Sequence, residues 1–292
     1  MDHILNELSL TGQFQSVDDF VREGALPLAD VLADIAKFGG SLLYKKSDFY
    51  QCNALPNMTF FDLVIAGTPA RTNDSLRKLK SKLALLMNEP HWDLNPQQDE
   101  KAIYLMVDNS GKEIDVSGTS VAEALVRKAC LVSFAKSAFV QTPINVKEKT
   151  ENTYYNVENV WQSGQVCDIL QKAGLLSIED YIIGKYSGKL DFSRIDAKNG
   201  FSLIDSSNLS IFESGFRKFN ELPWSRIPMD DALDYKEFHY NANTKRFFHK
   251  EIWNKGVRKF RITQEIRCFG YVEGGTFYVL RFDLDHILSD LG

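Results

Sequence analysis

Residues 245 to 267 read KRFFHKEIWNKGVRKFRITQEIR and hold eight basic residues against two acids. The bases are Lys245, Arg246, Lys250, Lys255, Arg258, Lys259, Arg261 and Arg267; the acids are Glu251 and Glu265. Phe247, Phe248 and Trp253 are interleaved with them. Cations hold phosphate oxygens and ring faces stack on bases, so the pattern suits a nucleic acid. The chain around it is acidic, with a formal net charge of −5. Residues 236–292 carry ten Lys and Arg and seven Asp and Glu, a net of +3. The rest carries 24 basic and 32 acidic residues, a net of −8. A positive segment in a negative chain points to a localised anionic partner rather than to general polyanion binding.

Histidine is the second source of chemistry. Three of the five, His239, His249 and His286, lie in the last 54 residues. Imidazole titrates near neutral pH, so His249 or His286 could move protons. His286 follows Asp283 and Asp285, but no HExxH or HxH spacing accompanies it, and no metal site is expected there. The loop HWDLNPQQDE gathers His91, Asp93, Asp99 and Glu100; a polar surface loop anchored by Trp92 is the simpler reading than a metal site. No P-loop and no GxSxG elbow occurs, and no cofactor is expected. Cys52, Cys130, Cys167 and Cys268 form no CxxC pair and read as small buried side chains in a reducing compartment. No apolar run reaches the roughly 18 residues of a membrane span, and MDHILNELSL lacks the features of a signal peptide. The expected location is cytoplasmic, with no membrane partner.

The elements that must position these residues follow from periodicity. SVDDFVREGALPLADVLADIAKF reads as a helix capped by Ser16, split or kinked at Pro27 and stopped by Gly39-Gly40. TFFDLVIAG reads as a short helix. Leu76, Leu79, Leu83 and Leu86 mark an amphipathic helix that Pro90 ends. AIYLMVDNSGKEIDV reads as a hairpin turning at Asn109-Ser110-Gly111. TSVAEALVRKA is a helix capped by Thr119 or Ser120, and CLVSFA a buried strand. KEKTENTYYNVEN reads as a linker. Two short helices follow, and then a third with Ile211, Phe212, Phe216 and Phe219 on one stripe.

RKFRITQEIRCFGYVEGGTFYVLRFDLDH reads as a β-hairpin about Glu273-Gly274-Gly275. A two-residue loop would set Cys268 against Arg281. A three-residue loop pairs Cys268 with Leu280 and Ile266 with Phe282, giving one apolar face, and is the expected register. It places Lys259, Arg261, Arg267 and Arg281 together on the opposite face, Arg267 directly across from Arg281.

Two resemblances bear on function. NELSLTGQF, NMTFFDL, NEPHWD, GTSVAEA and LVSFAKSAF, within about residues 5–140, resemble an uncharacterised group of bacterial phage-defence-associated proteins. That resemblance implies a prokaryotic setting and no catalytic residues. The hairpin at about 257–286 is similar to the end of RelE-type ribonuclease toxins, which hold and cleave RNA on a basic sheet; those toxins are far shorter.

The expected fold is α+β: a mixed domain at 1–150, a mainly helical segment at 151–235, and a basic antiparallel β domain at 236–292. The expected function is a defence or toxin-like effector cleaving nucleic acid, in the first place RNA, without metal. Arg267 and Arg281 would stabilise phosphate charge, with His249 and His286 as proton carriers. Lys245, Arg246, Lys259 and Arg261 would bind the backbone. The alternative is a non-enzymatic subunit that binds a partner defence protein or senses a phage component.

Overall fold

The computed structural model describes residues 1–38, 41–66, 73–107, 111–241 and 243–291. Helices and sheets are both present and largely segregated, so the chain is α+β. It divides into two compact units, Met1–Leu170 and Gln171–Gly292. Gly39-Gly40 and residues 109–110, read above as a helix stop and a turn, lie outside the described residues. No helix among the described residues is long and apolar enough to cross a membrane.

The strands of unit 1 are β1 (His3–Leu5), β2 (Leu43–Tyr44), β3 (Asn53–Leu55), β4 (Met58–Thr59) and β5 (Tyr104–Val107). They continue with β6 (Glu113–Asp115), β7 (Cys130–Val132), β8 (Ile144–Glu148), β9 (Thr153–Val157) and β10 (Asn159–Val160). Its helices are α1 (Val17–Phe20), α2 (Leu26–Phe38), α3 (Asp74–Ala84) and α4 (Ser120–Arg127); α5 (Gln165–Lys172) crosses the division.

Strands β10-β7-β1-β2 form a parallel sheet. Strands β6-β5-β8-β9 form an antiparallel one. Helix α4 shares one core with both: Val121, Ala122 and Ala124 are buried with Ile4 and Leu131 of the first sheet and Met106, Ile144 and Val146 of the second. The Thr119 hydroxyl caps α4 by accepting from Val121 N, as the sequence indicates. Leu76, Leu79 and Leu83 are the buried stripe of α3. Pro27 does not split its helix. Five residues in wider π-helical turns, Val21–Ala25, join α1 to α2 just ahead of it. A proline cannot donate the N–H of the regular ladder, and a wider turn is one way to absorb that.

The linker reading of KEKTENTYYNVEN is overturned. Strands β8 and β9 pair through Ile144↔Val157 to Glu148↔Thr153, so the polar run is a hairpin and its turn. Exposed antiparallel strands carry polar residues on their solvent face, which from sequence looks like linker composition. Residues 151–170 therefore belong with unit 1.

Unit 2 contains α6 (Ile178–Tyr186), β11 (Leu190–Asp191), α7 (Leu209–Glu221), β12 (Lys236–Glu237), β13 (Val257–Arg261), β14 (Arg267–Glu273), β15 (Thr276–Asp283) and α8 (Ile287–Leu291). Its sheet has the order β11-β15-β14-β13-β12. The β domain expected at 236–292 is not separate, because β11 is an edge strand of the sheet and α7 packs on one face. Phe212 and Phe219 of α7 pack in tilted ring pairs, at 5.0 Å from Phe282 and 4.5 Å from Phe260. Ile211, read as part of that stripe, is exposed.

The hairpin register differs from the one expected. Gly274 and Gly275 have φ of 59° and 81°, and Glu273 pairs with Thr276, so the loop has two residues. The pairing shifts by one between Gly270↔Val279 and Phe269↔Arg281, leaving Leu280 as the extra residue of a bulge. Beyond it Cys268 faces Phe282 and Arg267 faces Asp283. The bulge reconciles the tight turn with an apolar face, and it sets Arg267 opposite Asp283.

Candidate nucleic-acid interface

Register places Lys259, Arg261, Arg267 and Arg281 on one face of the unit 2 sheet, with Phe269 and Asp283. That grouping matches the sequence reading, but the face is not open. Residues 238–241 and 243–253 fold over it as a roof. Phe238, Phe248 and Ile252 are buried against Val257, Phe269, Tyr271 and Leu280. Phe238 and Phe269 meet edge to face at 5.1 Å.

The cations under the roof are largely engaged within the fold. Arg267 is 7% exposed and donates from Nη1 to the Thr263 and Ile266 carbonyls at 2.7 and 3.2 Å. Arg281 is half-buried and donates to the Phe247 carbonyl at 3.2 Å, its guanidinium 5.3 Å from the Phe247 ring. Burial lowers its pKa. Arg261 pairs with Asp234 at 3.1 Å. The Nε atoms of Arg261 and Arg281 are enclosed without an acceptor. The Lys259 ammonium lies 5.7 and 5.9 Å from the Phe238 and Phe269 ring centroids, and burial followed by the Arg267 charge lowers its pKa. Asp283 accepts from Leu288 N and Ser289 N, fastening α8. Sequence alternation identified the shared face; it could not show that Phe238, Phe248 and Ile252 return to cover it.

Arg267 is thus part of the packing. Arg267→Ala is expected to lower stability by roughly 2–3 kcal/mol, because the Thr263 and Ile266 carbonyls lose their donor and the buried Asp283 loses the cation across the strand pair. Chemical denaturation of the purified variant measures this; a change below about 0.5 kcal/mol would show that the guanidinium carries no structural weight.

The outer surface of the roof is different. Lys245, Arg246, His249 and Lys250 are all exposed. The Lys245 ammonium sits 5.3 Å from the Trp253 ring, and the Arg246 guanidinium 5.1 Å from the Phe247 ring. Trp253 is fixed by donating to the Lys245 and Phe248 carbonyls. Exposed cations therefore alternate along this ridge with two half-buried rings that also pack on the cluster beneath. His286 belongs to another segment, after β15, with Nε2 2.8 Å from the Gln264 carbonyl. His239 is exposed beside β12. Among the described residues no group of three or more His, Cys, Asp or Glu could hold a metal ion. Asp93, weighed above as a ligand, accepts from Ser47 N and Oγ, and Trp92 is buried as the loop's anchor.

No family model, curated protein or solved structure matches this chain.

One cluster in unit 1 escaped the sequence reading as a cluster, although its residues sit in the quoted motifs. Asn6 follows β1 and Ser133 follows β7 at the carboxyl edge of the parallel sheet, and Asn159, which opens β10 opposite Leu131, lies beside them. Asn6 Nδ2 donates to Ser133 Oγ at 3.0 Å, and Ser133 donates to Asn159 Oδ1 at 2.7 Å. Asn159 donates to the Phe139 and Gln141 carbonyls, and Ser120 Oγ to Asn6 Oδ1. NELSLTGQF, GTSVAEA and LVSFAKSAF converge here. These side chains satisfy one another, and they tie the sheet to the start of α4. Glu7 completes the tie by accepting from Ser120 N at 3.0 Å, while its other oxygen is buried without a donor.

Burial raises the Glu7 pKa above the 4.5 of a free glutamate, against the opposing hydrogen bond from Ser120. The folded state then binds more protons than the unfolded state, so stability falls as pH rises from 4.5 through the raised folded value. Glu7→Gln keeps an acceptor for Ser120 and removes the ionisation. The variant is expected to show a flatter stability–pH curve with its relative gain on the alkaline side, as read from melting temperatures across pH 4–8. An unchanged slope would exclude Glu7 as its source.

Proposed function

We propose that unit 2 binds single-stranded nucleic acid, RNA in the first place, along the ridge of Lys245, Arg246 and Lys250, and that the chain acts in bacterial defence against phage. The observation that supports binding is the alternation of exposed cations with the half-buried Phe247 and Trp253 rings. Cations contact phosphates while π-faces accept bases of any identity. The defence setting rests on the resemblance alone. Cleavage without metal by Arg267, Arg281, His249 and His286, as in a toxin-like effector, is the further reading. It requires the roof to leave the sheet, since Arg267 is enclosed and His249 faces outward. Binding requires no rearrangement and is therefore the reading the geometry favours.

The test is fluorescence anisotropy of a labelled 12-nucleotide RNA titrated with the chain at several salt concentrations. Three phosphate contacts should give a log–log slope of about −2, at about 0.7 per contact on a single strand. Binding without salt dependence, or none at low salt, rejects the ridge as an RNA site. In the latter case, salt-dependent capture of an acidic partner protein would favour the non-enzymatic subunit.

A further inference from the structure

Unit 1 contains a cavity of about 750 Å³ that neither the ridge nor the motif cluster uses. It opens at the amino edge of the parallel sheet, where β7 and β10 begin, and lies between α4 and the β8–β9 hairpin. In open parallel sheets ligands are usually taken at the carboxyl edge. Here the residues that follow β1 and β7 at that edge, Asn6 and Ser133, are engaged in the network with Asn159, and the opposite edge has the space.

The cavity is not simply loose packing. Its floor is made of small or flat side chains, Ala102, Ala124, Ala129 and Tyr104, set among tightly buried neighbours. Its size falls within the range of small-molecule sites, which pair an apolar floor with a few polar groups. The polar groups lean to one sign. Four carboxylates line the cavity, Asp99, Glu148, Glu151 and Glu158, against Lys101, Lys128 and the Met1 amino group, a formal excess of one negative charge. Glu148 is fixed in place by the backbone N–H groups of Thr150 at 3.0 Å and Glu151 at 2.5 Å. Glu158 accepts from the Thr142 hydroxyl at 3.1 Å. The Tyr155 side chain at the mouth adds a ring face.

We infer that this cavity binds an organic cation: a protonated amine or guanidinium carried on an apolar or aromatic stem. The stem fills the alanine-lined floor, where it displaces water from apolar surface. The charge reaches the anchored Glu148 and the rim carboxylates, with Tyr155 available for a cation–π contact. The same chemistry could come from a free amine or from an Arg or Lys side chain of a peptide. The cavity's charge is opposite to that of the ridge, so the two sites would take different ligands.

The experiment is isothermal titration of the full chain with three probes of one shape: phenethylamine, 2-phenylethanol and phenylacetate. A tetrapeptide carrying one arginine forms a fourth arm. The amine is expected to bind at least tenfold tighter than the alcohol, and the acid not at all. Whichever of amine and peptide binds more tightly identifies the source. Ala102→Leu, at a half-buried position, should fill the floor and abolish binding. Glu151→Lys, on the exposed rim, should weaken it about tenfold with an unchanged melting temperature. Equal binding of amine and alcohol, preference for the acid, or full affinity in both variants would overturn the inference.

Discussion

A chain carrying Lys245→Glu, Arg246→Glu and Lys250→Glu is expected to bind the RNA probe about 10²–10³-fold more weakly than the wild type. Each substitution removes a phosphate contact and sets a carboxylate against the strand, so attraction and counterion release are both lost. The three side chains are exposed, and surface substitutions of this kind cost within about 0.5 kcal/mol each. The melting temperature should therefore stay close to that of the wild type, which separates loss of binding from loss of fold. Growth supplies a second readout. If expression of the wild type arrests a bacterial host, the triple variant at equal soluble yield should relieve the arrest. Full RNA affinity in the variant would place the interface elsewhere.

Gly270→Ala is expected to be the most damaging single methyl in unit 2. A Cβ at Gly270 would run into the Phe277 ring and the Tyr278 carbonyl. The carbonyl belongs to the paired backbone of β15, and Phe277 is fully buried and packed 5.2 Å from Phe219. Neither can move without disturbing the sheet or its contact with α7. The cost is expected to be about 3–5 kcal/mol, a large fraction of the stability of an ordinary domain. Urea denaturation followed by tryptophan fluorescence would measure it, since Trp224 and Trp253 both lie in unit 2. A loss under about 1 kcal/mol would mean that the hairpin can shift at its bulge.

Much of the local structure was legible because it depends on near neighbours. Thr119 as a cap, the leucine stripe of α3 and the phenylalanines of α7 are set by side-chain spacing within one helix. The alternation that grouped Lys259, Arg261, Arg267 and Arg281 on one sheet face is a property of strands themselves. The register was missed because Gly274-Gly275 and the apolar alternation ask for pairings one residue apart. Only a bulge at Leu280 satisfies both, and nothing local requires a bulge. The stretch at 147–159 was misread as a linker for a related reason, since a solvated hairpin and a linker share a composition.

What the sequence by itself determined is the charge and chemistry of the candidate sites: a basic, aromatic-rich segment in an acidic chain, free of nucleotide-loop and metal-ligand motifs. What the tertiary structure decided is which of those residues meets solvent. Burial depends on segments far apart in the chain. Phe238, Phe248 and Ile252 pack over Phe269 and Tyr271, and that contact turns Arg267 into a packing residue while it leaves Lys245, Arg246 and Lys250 outside. Asn6, Ser133 and Asn159 meet only because β1, β7 and β10 are neighbours in one parallel sheet, and the alanine-floored cavity exists only where α4 and the β8–β9 hairpin leave space beside their shared core. Spacing along a chain sets which side chains share a face; which faces are covered follows from long-range packing, driven by apolar area that has no address in the local sequence.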